Sequence, residues 1–152
     1  MNIRRTVEVI CLLLLVLSIT IGLIFIAGSM IKVSFSVGGP MCPLNEGTWY
    51  KFKGRSKPGD PVVEIWIMLV EDIGSKSWSK SMLTVSNHLK HDIEVHIDIS
   101  IYGHGVTVAE GHAFFFVRAK DKDLRLVKLT WTEGKCAEDA VWGKLYAEVL
   151  EH

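Results

Sequence analysis

The stretch HLKHDIEVHIDISIYGHG, His88 to Gly105, gathers most of the side chains in this chain that bind metals or move protons. It holds four of the six histidines, together with Asp92, Glu94 and Asp98. Within it, IEVHIDISI alternates with period two. Ile93, Val95, Ile97, Ile99 and Ile101 turn to one side of a strand, and Glu94, His96, Asp98 and Ser100 turn to the other. Same-side residues of a strand stand about 6.5–7 Å apart, so one ion is held by such a row only with help from a neighbouring strand. The candidate metal set is His88, His91, Glu94, His96 and Asp98, the first two reaching in from the preceding turn. The tight pairs typical of structural zinc sites are absent, since His88 and His91 make only an H-x2-H. The expectation is therefore a water-facing polar row. Metal ligation by the five is the alternative, and a partner-binding or pH-sensing role for His91 and His96 is a third reading. No cofactor is expected.

Other motifs of chemistry are missing. GHGVTVAEG lacks the spacing of a phosphate-binding G-x-G-x-x-G, and neither a P-loop nor a G-x-S-x-G elbow occurs. His104 and His112, flanked by Gly103, Gly105 and Gly111, read as turn residues at strand ends. The expected role is non-catalytic.

The elements that carry these residues read as strands. TWYKFK (48–53), VVEIWIMLV (62–70), SMLTVSN (81–87) and IEVHIDISI (93–101) are separated by turn clusters such as GRSKPGDP and HLKHD. VTVAE (106–110) and AFFFVRA (113–119) follow, split by Gly111, then LRLVKLTW (124–131), whose apolar parity shifts at Leu126–Val127 and suggests a bulge or two buried faces. AFFFV reads as an interior strand guarded by Arg118, Lys120 and Lys122. VWGKLYAEVL (141–150) fits a helix or a strand, with Gly143 and the β-formers favouring a strand. Trp66 and Trp131 are expected in the core; Trp49, Trp78 and Trp142 are open, with Trp49 the candidate to touch a membrane surface. Strands at this spacing predict an all-β fold, an antiparallel β-sandwich of immunoglobulin-like arrangement.

Before the strands comes an apolar run. From Val9 to Ile31 there are 23 residues without a charge. At about 1.5 Å per residue they span a hydrocarbon core of roughly 30 Å. A cleaved signal peptide is the competing reading, with Arg4 and Arg5 as its basic region and Ala27 and Ser29 at the small positions; the run is longer than such a segment needs. Arg4, Arg5 and Glu8 flank the run on one side and Lys32 on the other, and two arginines against one lysine place the N-terminus in the cytoplasm. The expected organisation is a short cytoplasmic N-terminus (1–8), a transmembrane helix (9–31), a hinge (32–47) rich in glycine and proline, and an extracytoplasmic domain (48–152) at the cell membrane.

Seventeen basic and seventeen acidic residues cancel, which removes the electrostatic basis for a nucleic-acid partner. The expected partners are the lipid bilayer and other membrane or surface proteins, with homo-oligomers open. Cys42 and Cys136 are a candidate disulfide, which an oxidising exterior allows, with two free thiols as the alternative. Closing that loop of about 95 residues contributes roughly 4–5 kcal/mol in the chain-entropy picture.

The N-terminal stretch RRTVEVICLLLLVLSITIGLIFIAG, residues 4–28, resembles archaeal type IV pilin-like proteins. These have a short basic leader, an acidic residue near the head of a long apolar helix, and a β-rich head domain. The resemblance implies a leader ending at Arg5, Glu8 as the acidic residue, and a head from 32 to 152. It also implies removal of the leader and packing of the apolar helices in a filament. Cys11 stands where that family has a small residue, and no glycine or alanine precedes Thr6.

Overall fold

The computed structural model describes residues 3–30, 34–70 and 79–152, which divide into two units, Met1–Lys32 and Val33–His152. Lys32 and Trp78 lie outside the described residues. The first unit is one helix, α1, Ile3–Met30. Its stretch Arg5–Leu23 is long and apolar enough to cross a membrane. Ser18 donates to the Leu15 carbonyl at 2.8 Å and Thr20 to that of Val16 at 2.8 Å, so their hydroxyls are satisfied inside the helix. The helix starts six residues before the apolar run, because Arg4, Arg5 and Glu8 are all good helix formers. Glu8 therefore sits in the second turn, and not in the first turn where an N-terminal carboxylate is best placed.

The described residues of the second unit form nine strands: β1 Ser34–Met41, β2 Tyr50–Gly54, β3 Val63–Val70, β4 Lys80–Asn87, β5 Ile93–Gly103, β6 Val106–Val117, β7 Lys122–Lys128, β8 Thr130–Trp131 and β9 Trp142–Glu151. They form a five-stranded sheet in the order β1-β9-β5-β6-β8 and a four-stranded sheet in the order β2-β3-β4-β7. All the pairings are antiparallel. Alternation explains the packing. Ile65, Ile67, Leu83 and Val85 of one sheet and Val95, Ile97, Leu145 and Ala147 of the other point into a single aliphatic core. The arrangement is consistent with a β-sandwich.

Three sequence expectations need correction. The hinge assigned to 32–47 contains β1. Pro40 is compatible with it because β1 is a sheet edge, and Gly38 is required because a Cβ there would collide with the Leu145 carbonyl of β9. Gly111 does not split two strands but lies within β6, where a Cβ would stand 2.8 Å from Leu129 Cδ2. The parity shift in 124–131 is neither a bulge nor two buried faces. Leu124 and Leu126 face outward, across from Thr84 and Met82, while Asp123, Arg125 and Val127 lie on the inner side. The ambiguous segment 141–150 is a strand, as Gly143 and its β-formers favour.

Cys42 and Cys136 are both free and exposed. Each is held by its own local structure. Cys42 follows the last residue of the edge strand β1. Cys136 precedes the short 3-10 turn Ala137–Asp139, with its backbone N–H donating to Asp139 Oδ2 at 2.9 Å and its thiol to the same oxygen at 3.6 Å. The amide hydrogen bond from Cys136 holds the Asp139 carboxyl below its ordinary value.

Candidate functional site

The histidine-rich strand is β5, and its place in the middle of a sheet decides what its polar row does. Its residues pair with β6 and β9, and the five metal candidates each meet a different neighbour. Asp98 pairs with His112 Nδ1 at 2.6 Å. Glu94 pairs with His152 Nε2 at 3.0 Å. His91 Nε2 meets Glu151 at 2.8 Å, at the end of β9. His88 lies 4.0 Å from Glu64, on the other sheet. His96 stands edge-on against the ring of Phe114, with centroids 4.9 Å apart. Among the described residues no group of three or more His, Cys, Asp or Glu is arranged to hold a metal ion. His104 does occupy a turn, the two-residue link His104–Gly105 with both φ positive, whereas His112 is in mid-strand rather than at a strand end.

What β5 positions instead is a surface. Cross-strand partners in an antiparallel pair share a face. The outer face of the five-stranded sheet therefore sets His96 beside Phe114 and Glu148, Asp98 beside His112 and Tyr146, and Glu94 beside Phe116. Phe114, Phe116 and Tyr146 are 47–48% exposed, and Tyr102 stacks on Trp142 with centroids 4.4 Å apart. Of the FFF run only Phe115 enters the core. β8 pairs with β6 at Ala109 and Glu110 alone, so AFFFV (113–117) lies on a sheet edge and not in the interior strand expected from its sequence.

The outer face of the four-stranded sheet is the second surface. Lys51 and Trp66 pair across β2 and β3, Trp66 faces Thr84, and Thr84 faces Leu124. The next row sets Met68, Met82 and Leu126 side by side. Trp66 thus lies half-buried on this face and not in the core, because it falls on the opposite parity from Ile65 and Ile67. Trp49, exposed, packs edge-on to Trp66 at 6.4 Å, and Lys51 Nζ sits 4.3 Å over the Trp66 ring. A groove of about 460 Å³ runs here between Trp49, Trp66, Thr84 and Lys122.

Glu64 is the carboxylate of that face. Lys51 and Lys53 both reach it at 3.3 Å, and Trp66 Nε1 donates to it at 3.3 Å. Burial works against its charge, but the hydrogen bonds from Lys53, Trp66 and Lys51 outweigh that and hold its carboxyl below the ordinary value.

Sequence reasoning missed this second face. Its signal was the inverted parity of LRLVK, in which leucines occupy the alternate positions to the inward-facing residues. No protein-family model matches the sequence, and no curated protein matches it.

Proposed function

We propose that the protein is a single-pass, membrane-anchored, non-catalytic protein whose extracytoplasmic β-sandwich serves as a structural or protein-interaction module at the cell surface. One observation carries the reading. Apart from Phe115, the buried core among the described residues is aliphatic, while Phe114, Phe116, Tyr146, Trp142, Leu124 and Leu126 remain exposed on the two outer sheet faces. Apolar groups kept in water on an otherwise well-packed domain mark surfaces meant to be covered. The arginines before the apolar run and the lysine after it support an N-terminus inside and the domain outside. The immunoglobulin-like reading of the sandwich rests on fully antiparallel pairing and on connections that pass from sheet to sheet, as from β4 to β5 and β6 to β7.

A pilin-like filament subunit is the second reading. Side chains of α1 are exposed from Arg5 to Leu23, apart from the half-buried Gly22, and so are open to lipid or to the same helix of other copies. Intact mass of the full chain from its native membrane, with protease added to the outside of intact cells, tests both. A full-length mass with residues 34–152 digested from outside supports the plain anchor. Loss of residues 1–5 supports the pilin-like reading. Loss of residues 1–29, with the domain released, overturns both.

A further inference from the structure

The two outer faces differ in sign. The four-stranded face carries Lys51, Lys53, Lys80, Lys122 and Lys128 against Glu64. Among the described residues the five-stranded face carries Glu94, Asp98, Glu110 and Glu148 against Lys144, with Asp98 and Glu94 paired to the imidazoles of His112 and His152 and the other two carboxylates without such a histidine. Five ammonium groups against one carboxylate thus oppose four carboxylates against one ammonium and two paired histidines, on opposite sides of the same two-layered domain.

Two features of the basic face call for an anionic cover. Lys80 and Lys128 are direct cross-strand partners, and like charges so placed repel in an uncovered sheet. The apolar rows between the lysines include Leu124 and Leu126, each more than half exposed. The acidic face supplies what would fit there, carboxylates set among exposed aromatic rings.

We infer that copies of this chain associate head to tail, the four-stranded face of one domain against the five-stranded face of the next. The inference rests on the interaction-module reading and names its partner as a second copy. Pairing like face with like face would set lysines against lysines or carboxylates against carboxylates, which costs several kcal/mol at an interface. A contact between two different faces of one subunit leaves a free face at each end, so it propagates as a row unless it closes into a ring. With strands about 4.8 Å apart and outward residues about 6.8 Å along them, a four-strand face offers roughly 500 Å² per copy, the size of a weak contact. Anchors confined to one bilayer raise the effective concentration at which such a contact operates.

The test uses the full-length chain in phosphatidylcholine liposomes, with Cys11, Cys42 and Cys136 replaced by serine. Facing sheets stack about 10 Å apart, so the probe is a bis-maleimide of about that span. With His96→Cys on one face and Thr84→Cys on the other, the doubly substituted chain should give a ladder of dimers, trimers and higher species. Either single variant should stay monomeric, and a mixture of the two should stop at dimers. Adding Lys80→Glu and Lys128→Glu, which leaves three lysines against three carboxylates on the four-stranded face, should abolish the ladder, as should Glu110→Lys with Glu148→Lys, which leaves two carboxylates against three lysines on the other. An unchanged urea unfolding midpoint in both variants separates this loss from misfolding, and a ladder that persists in both overturns the inference.

Monomers throughout overturn the inference, and dimers from a single-cysteine variant overturn it in favour of like faces meeting. Protection of Thr84→Cys from maleimide only when anionic lipid is added overturns it in favour of a lipid surface. These outcomes are separate from the intact-mass and protease experiment, which alone decides the anchor reading.

Discussion

The Arg125 guanidinium donates through Nη1 to the Phe114 carbonyl at 2.9 Å, tying the edge strand of the four-stranded sheet to β6 of the other sheet. It also lies 4.8 Å over the Phe115 ring and pairs with Asp123 at 2.6 Å. This is why β7 can turn a charged residue inward and leucines outward. Arg125→Ala should lower unfolding free energy by about 1–2 kcal/mol, the range for a partly exposed, charge-assisted hydrogen bond. Arg125→Lys should recover only part of it, because a single ammonium cannot reproduce the planar fork. Urea unfolding of the full chain in detergent micelles, followed by tryptophan fluorescence, is the measurement.

Asn87 plays the corresponding role at the crossing from β4 to β5. Buried, it shares its amide hydrogens among the carbonyls of His91 at 2.9 Å, Val117 at 3.2 Å and Arg118 at 3.0 Å, and its Oδ1 accepts from the Leu89 amide at 2.9 Å. Asn87→Ala leaves these groups without their partner and should cost about 2–4 kcal/mol. Asn87→Asp should be no milder, since a carboxylate keeps the acceptor but sets negative charge against three carbonyls. The same unfolding assay reads both variants, and a loss below that of Arg125→Ala would contradict the assignment.

Acid stability should depend on Glu64. Its folded carboxyl titrates below the ordinary value of 4.5. The unfolded chain therefore takes up the proton first as pH falls. The stabilisation is fully present above the ordinary value and is lost as pH drops through the lower folded one. Glu64→Gln should flatten the acid limb of the Tm-against-pH curve below about pH 5 and leave its slope above that unchanged. An unchanged acid limb in the variant would show that Lys51 and Lys53 do not hold the carboxylate.

Some strands were legible. IEVHIDISI shows a buried and a wet face in period two, whereas VVEIWIMLV is apolar on both parities and was legible as a central strand by its length; both are interior to their sheets. β1 was not legible, because glycines and a proline in SVGGPM carry no alternation. What makes it a strand is the waiting edge of β9, a contact more than a hundred residues away in sequence. The histidines were legible as a polar row, but their fates depended on β6 and β9, whose register with β5 no local pattern fixes. The basic apolar face was hidden for the same reason. Lys51, Trp66, Thr84 and Leu124 come from four separate segments and become one row only through pairing.

The three phenylalanines of β6 separate folding from assembly within one run of sequence. Phe115 is wholly buried, whereas Phe114 and Phe116 are exposed on the acidic face. Phe115→Ala should cost about 3–5 kcal/mol by opening a core cavity. Phe114→Ala and Phe116→Ala should change stability by less than about 1 kcal/mol, as surface changes do. If the outer face is an interface, the exposed pair should instead shorten the cross-linked ladder, because aromatic anchors at the centre of a contact carry a large share of its energy. Unfolding curves and cross-linking on the same three proteins compare the two effects directly. Exposed phenylalanines that proved as costly to the fold as Phe115 would mean that this face is already covered within the chain, and the assignment of an outer docking surface would be wrong.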